Sequence, residues 1–218
     1  TVRIRVPGGR ASVEQLACME QAARKYGRGY VHLTARQGFE LPWVKPSDFE
    51  SLRSELAAVD LFPAGCGPRI RNVMACPGSE SCSRGILDTY AVAKVLSDRY
   101  VGREVQIKKF KMGVAGCPNS CSAPQVNDLG FMAEVEPLVV VEQCDECELC
   151  ADACREKAIT LGGGKLTIDR ALCVNCGDCI KTCPIDAIAA GREGYTVFIG
   201  GKVGRHPRFG TQVAEFVS

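Results

Sequence analysis

Two stretches decide the reading: Cys144-Asp-Glu-Cys147-Glu-Leu-Cys150-Ala-Asp-Ala-Cys154 and Cys173-Val-Asn-Cys176-Gly-Asp-Cys179-Ile-Lys-Thr-Cys183-Pro184. They are one spacing written twice, with the second run beginning 29 residues after the first. A gap of two residues lets successive thiolates reach different corners of one iron–sulfur cube. The fourth cysteine of such a run belongs to the other cube. Cys144, Cys147, Cys150 and Cys183 are therefore expected to hold one 4Fe-4S cluster, and Cys154, Cys173, Cys176 and Cys179 a second. A zinc site needs only two cysteine pairs per metal and would leave half of each run unused.

Outward from these runs, the chain has 218 residues and 14 cysteines, of which only Cys18 and Cys66 stand outside tight local groups. A disulfide framework belongs to short secreted chains, and residues 1–30 carry no signal-peptide pattern, although the sequence starts at Thr1 rather than Met. The cysteine usage points instead to a reducing cytoplasm, that of an anaerobe. Lys+Arg 27 against Asp+Glu 25 leaves +2, so no overall field favours nucleic acid or an anionic membrane. Hydrophobic content of 46% is that of a globular chain, without an apolar run long enough for membrane insertion.

The flanking sequence reads as two α+β units. Residues 2–6 alternate with period two as a strand, and Ser12 with Gln15 forms a capping box for a helix over 13–26, stopped by Gly27. Short strands are expected at 30–34 and 38–41. A second capping box, Ser47 with Glu50, should open a helix running to about Ala58. That order predicts a ferredoxin-like layer over 1–66. A second unit, 67–136 continued by 192–218, is expected to hold strands near 71–75, 104–112, 129–135 and 195–199 and a helix near 84–99. Residues 137–191, with few large apolar side chains, interrupt it as an insert. The acidic residues Asp145, Glu146, Glu148 and Asp152 read as a solvated face beside the first run.

Four further cysteines fall in Cys76-Pro-Gly-Ser-Glu-Ser-Cys82 and Cys117-Pro-Asn-Ser-Cys121. Around them, in order, stand Thr34-Ala35-Arg36-Gln37, Arg71-Asn72-Val73, Lys109-Phe110-Lys111 and Gly200-Gly201-Lys202-Val203-Gly204-Arg205-His206-Pro207-Arg208. Strand periodicity would place Lys109 and Lys111 on one face.

This constellation resembles the sulfite/nitrite reductase family, in its small anaerobic or dissimilatory branch, and the insert resembles a bacterial two-cluster ferredoxin. The resemblance implies that Cys76, Cys82, Cys117 and Cys121 hold a third 4Fe-4S cluster, with Cys121 bridging to the iron of sirohaem. It implies catalytic roles for Arg36, Arg71, Lys109 and Lys111 around an anionic substrate. Cofactor contacts are implied for Gln37, Asn72, Asn119, Arg205 and Arg208, and Ser120 is a further candidate donor to cluster sulfur. His32 and His206 are given structural roles.

Six-electron reduction of sulfite to sulfide is the expected activity, fed by a low-potential electron donor protein through the ferredoxin-type clusters. The alternatives are nitrite reduction to ammonia, an iron–sulfur electron carrier without substrate, and a non-catalytic partner subunit. Because longer family members build the site from two homologous halves, a homodimer is the expected assembly.

Overall fold

A computed structural model of the chain describes residues 1–140, 144–163 and 165–218. The N-terminal unit contains β1 (Val2–Arg5), α1 (Val13–Tyr26), β2 (His32–Leu33), β3 (Phe39–Leu41), α2 (Phe49–Ala57) and β4 (Phe62–Pro63). Its sheet runs β2-β3-β1-β4 with every pair antiparallel, the expected ferredoxin-like arrangement. The first capping box forms as read: Gln15 N donates to Ser12 Oγ at 3.2 Å, and Ser12 N to Gln15 Oε1 at 3.0 Å. Met19, Ala22, Ala23 and Tyr26 make the buried stripe of α1 at helical spacing. They meet Ile4, Leu41, Leu52 and Leu56, each fully buried.

The second capping box does not form. Pro46 opens a single tight turn, Pro46–Asp48, so Ser47 lies inside that turn instead of ahead of the helix. Its hydroxyl goes to Asp48 Oδ1 at 3.1 Å, and Glu50 pairs with Arg53.

The second unit is a five-stranded sheet ordered β11-β10-β7-β6-β5. Its strands are β5 (Met74–Ala75), β6 (Met112–Ala115), β7 (Leu129–Val139), β10 (Ile188–Ile199) and β11 (Thr211–Val217). β5, β6 and β7 are parallel, and β10 and β11 continue antiparallel. The crossover helix α3 (Thr89–Tyr100) starts five residues later than 84, because residues before it form the turn that carries Cys82. Asp88 caps it by accepting from Tyr90 N and Ala91 N at 2.9 and 3.1 Å.

The strand expected at 104–112 is instead four residues at 112–115. The stretch before it wraps the 68–71 segment. Val105 N donates to Pro68 O, Ile70 N to Arg103 O and Arg71 N to Phe110 O. Lys109 and Lys111 therefore flank the bridging residue Phe110, just outside the strand.

β7 runs through Pro137 to Val139, where it pairs with Ile188 at the start of β10. The cysteine-rich segment leaves and returns through these two strand ends. It holds α4 (Leu149–Ala153), the hairpin β8 (Ile159–Gly162) with β9 (Lys165–Ile168), and α5 (Asp178–Thr182). Ile159, Leu166 and Ile188 form its small core together with Cys150 and Cys179. No helix among the described residues is long and apolar enough to cross a membrane.

Candidate cofactor and anion site

The thiols gather in three quartets, and the crossed pairing of the two repeats is visible in the fold. Cys144, Cys147, Cys150 and Cys183 line one small cavity. Cys154, from the end of the first run, lines another with Cys173, Cys176 and Cys179. Burial pushes the Cys179 thiol up to about 12, with Cys176 and Cys173 adding to the effect. Cys176 is raised by burial first, then by Asp178 and by the Cys173 and Cys154 thiols. Each quartet rings a volume. No three His, Cys, Asp or Glu side chains among the described residues converge on a point that a single metal ion could occupy.

The third quartet comes from two loops. Burial raises the Cys117 thiol, and the neighbouring Cys76, Cys82 and Cys121 raise it further, so all four thiols lie within electrostatic reach. Gly116 N donates to Cys76 Sγ at 3.1 Å, and Asn119 Nδ2 to Cys121 Sγ at 3.3 Å. Ser120 is not aimed at sulfur: its hydroxyl bonds Gln125 Oε1 at 2.5 Å. Two features keep these loops tight. A Cβ on Gly85 would stand 2.4 Å from the Gly78 carbonyl, and Gly78 itself has φ +63°. Cys121 is exposed, which leaves its sulfur open to a further group.

The cations are likewise brought together. Arg36 sits in the Thr34–Gly38 turn, where Thr34 Oγ1 accepts from Gly38 N at 3.0 Å. Its guanidinium donates to Asn72 O at 2.9 Å, Asn127 Oδ1 at 3.1 Å and Met112 O at 2.6 Å. Burial brings its pKa down to about 10 against the pull of Asp128, and Arg71 adds to the lowering. Lys111 is lowered by burial and by Arg36 and Lys109, again opposed by Asp128. Arg36, Arg71, Lys109 and Lys111 thus form one chain of like charges spanning both units. Asp128, whose carboxylate also accepts from Lys111 N at 2.8 Å, is its counter-ion.

Arg71 donates to Gly65 O at 3.1 Å and Gly67 O at 3.0 Å, while its Nε is buried without a partner. Asn72 donates to Val6 O and Arg36 O, and its Oδ1 is also an orphan. Buried polar atoms left in this way are completed by a water, an ion or a ligand group. Arg36, Arg71 and Asn72 line a cavity of about 290 Å³, with His32 at its edge. Across the Thr34–Gly38 turn lies a larger one of about 780 Å³, lined by Gln37, Arg10, Cys76 and Tyr90 among others.

Gln37 pins the turn to β5 through two bonds, from its Nε2 to Ala75 O at 2.7 Å and from Ala75 N to its Oε1 at 2.8 Å. Arg208 closes its own loop on Gly200 O at 2.8 Å, and Arg205 stands exposed at the loop tip. His206 is exposed as well. Asn127 and Asp128 were not foreseen as site residues. They act across more than fifteen residues of chain, and no local motif marks them.

Against known families, residues 66–218 match the model described as the nitrite and sulphite reductase 4Fe-4S domain. Residues 1–59 match that of the nitrite/sulfite reductase ferredoxin-like half domain. The coenzyme F420-dependent sulfite reductase of Methanocaldococcus jannaschii is 37% identical over 205 residues, 94% of this chain and 33% of that protein. A chloroplastic ferredoxin–nitrite reductase of Betula pendula is 29% identical over 163 residues, 74% of this chain and 26% of that protein. The chain thus spans a third or less of the length of these two relatives. In fold, the crystal structure of dissimilatory sulfite reductase I superimposes with a TM-score of 0.75 at 20% identity, covering 99% of this chain and 57% of that one.

Proposed function

The chain belongs to the nitrite and sulfite reductase family, and we propose that it is a sirohaem-dependent sulfite reductase reducing sulfite to sulfide. The observation that carries this reading is the Thr34–Gly38 turn, which places Arg36 in a chain of four cations and through Gln37 is pinned to Ala75, the neighbour of Cys76 in the Cys76/Cys82/Cys117/Cys121 quartet. The donor sets fit the cofactors. Twelve thiols in three quartets suit three 4Fe-4S clusters, the exposed Cys121 suits a thiolate shared with the macrocycle iron, and Cys76 of the same quartet lines the large cavity.

When bound, these groups supply single electrons and an iron at which the substrate is reduced. The protein's own work is electrostatic. Arg36 is held rigid by its three acceptors, so its charge is present before an anion arrives. Arg71, from the wall of the smaller cavity, and the ammonium groups of Lys109 and Lys111 would supply positive charge to the anion's oxygens. Lys111 Nζ, with its pKa lowered, gives up a proton to a departing oxygen more readily than an ordinary lysine. Asp128 holds Lys111 in place through the backbone N–H of that residue.

The insert is read as a two-cluster ferredoxin module receiving electrons from a low-potential donor protein in a reducing cytoplasm. Assembly as a homodimer would supply the second half that the longer relatives carry. Nitrite is the competing substrate, because a nitrite reductase stands among the relatives and the same cations suit it. Turnover of sulfite against nitrite with a reduced viologen dye tests the reading. A higher kcat/KM for sulfite supports it, and a higher value for nitrite replaces it.

A further inference from the structure

The two cysteine runs are anchored differently. Among the described residues, the hydrogen bonds of 144–157 stay within 144–158. The second run is fixed to the body of the protein on two sides.

On the first side, Asn175 stands between Cys173 and Cys176. Its Nδ2 donates to Glu134 Oε2 at 3.2 Å, and its carbonyl accepts from Val135 N at 3.0 Å. Glu134 is only 4% exposed, and it also accepts from Thr196 Oγ1 at 2.7 Å and Phe216 N at 3.0 Å. Gly177 lies so close to β7 that a Cβ there would stand 2.6 Å from Val135 Cγ1.

On the second side, α5 is tied to the turn that follows Cys82. Lys181 Nζ donates to Ser83 O at 2.8 Å and Gly85 O at 3.3 Å. Asp178 accepts from Arg84 at 3.3 Å. The helix carrying Cys179 is thereby strapped to the loop carrying Cys82. The cavity of Cys154, Cys173, Cys176 and Cys179 is also lined by Cys117, Pro118 and Asn119.

We propose that Lys181 and Asn175 are positioning residues that fix the second thiol quartet against the Cys76/Cys82/Cys117/Cys121 quartet and so govern the passage of an electron between them. The proposal rests on the cluster assignment above. Each passage oxidises the group held by the second quartet by one electron and reduces the group held by the third by one electron. No bond or proton moves, and a one-electron, low-potential donor supplies the electron. Two anchors along one short run, at Asn175 and Lys181, set both its distance and its tilt, whereas the first run has no described hydrogen bond beyond residue 158.

The test uses the cofactor-loaded chain with Lys181→Met, Lys181→Arg and Asn175→Gly. The glycine preserves the backbone, since Asn175 has φ 55°. Methyl viologen radical is the reductant, and rapid-freeze electron paramagnetic resonance reads two quantities: magnetic broadening between the two groups, and the rate at which an electron passes. Lys181→Met should retain its iron and sulfide, weaken the broadening, and slow passage about tenfold or more. Lys181→Arg should restore both, and Asn175→Gly should weaken both.

Unaltered broadening and passage in Lys181→Met overturns the proposal, as does a slowing accounted for entirely by lost iron. If the unsubstituted protein lacks iron–sulfur signals, the cluster assignment itself fails, and the proposal with it.

Discussion

Cys154 closes the first cysteine run in sequence, yet in space it shares its cavity with Cys173 of the second. The two runs are interlocked, so one substitution should damage the cluster site of the other run. Cys154→Ser should lose iron from the second quartet and leave the Cys144/Cys147/Cys150/Cys183 quartet loaded, while Cys150→Ser does the reverse. Iron counts with paramagnetic resonance of each variant check this. Equal loss from both sites in both variants would refute the interlock.

The cations divide into one that builds the site and others that serve it. Arg36 satisfies two backbone carbonyls and Asn127, so Arg36→Met strands three acceptors and should cost about 2–4 kcal/mol of stability. Lys109 is exposed, and Lys109→Met should keep the fold and the cofactor absorption while losing most turnover. Denaturant melts and dye-driven turnover of the two variants separate the roles. Full activity in Lys109→Met would remove it from the catalytic group.

Lys111 gives the site a pH dependence. Burial holds its pKa below the ordinary 10.5, with Asp128 attracting its charge and Arg36 and Lys109 repelling it. As pH rises through that lowered value, the ammonium is lost and sulfite affinity should fall. The sign for stability is opposite. The fold penalises the charged form, so the penalty is fully present below the folded pKa and is relieved as pH climbs toward 10.5, the unfolded value. Spectral titration with sulfite against pH, beside urea melts, should show affinity falling while this contribution to stability rises. In Lys111→Gln both trends should flatten.

Leu52 on α2 is fully buried in the N-terminal core that also holds Ile4 and Leu41. Leu52→Ala should cost about 2–5 kcal/mol by leaving a cavity. It touches no thiol loop, so iron content should be unchanged at low temperature. A matching loss of iron would mean that the two units are coupled more tightly than their separate cores imply.

What was legible in the sequence was whatever sits close together along the chain. Ser12 and Gln15 are three residues apart, and their capping box is present. The cysteine spacings carry their geometry with them, so the crossed pairing follows from the repeat alone. What failed were boundaries overruled from a distance. Residues 104–112 looked like a strand, but the backbone groups of Val105 and Phe110 are taken by the 68–71 segment. The helix expected at 84 waits for Asp88, because the preceding residues hold Cys82 in its turn.

β11 was missed although Thr211, Val213, Phe216 and Val217 favour a strand, because the run is short and its partner β10 is fixed only by the fold. The anion site was half legible. The motifs named Arg36, Arg71, Lys109 and Lys111, whereas Asn127 and Asp128 act through contacts that only the folded chain creates.

The most direct test is the absorption and Mössbauer spectrum of anaerobically purified protein, with iron, sulfide and macrocycle counted per chain. The account predicts sirohaem absorption that shifts on adding sulfite, roughly thirteen irons per chain, and a cluster magnetically coupled to the macrocycle iron. Iron–sulfur signals without any macrocycle, or zinc in place of iron, would contradict it.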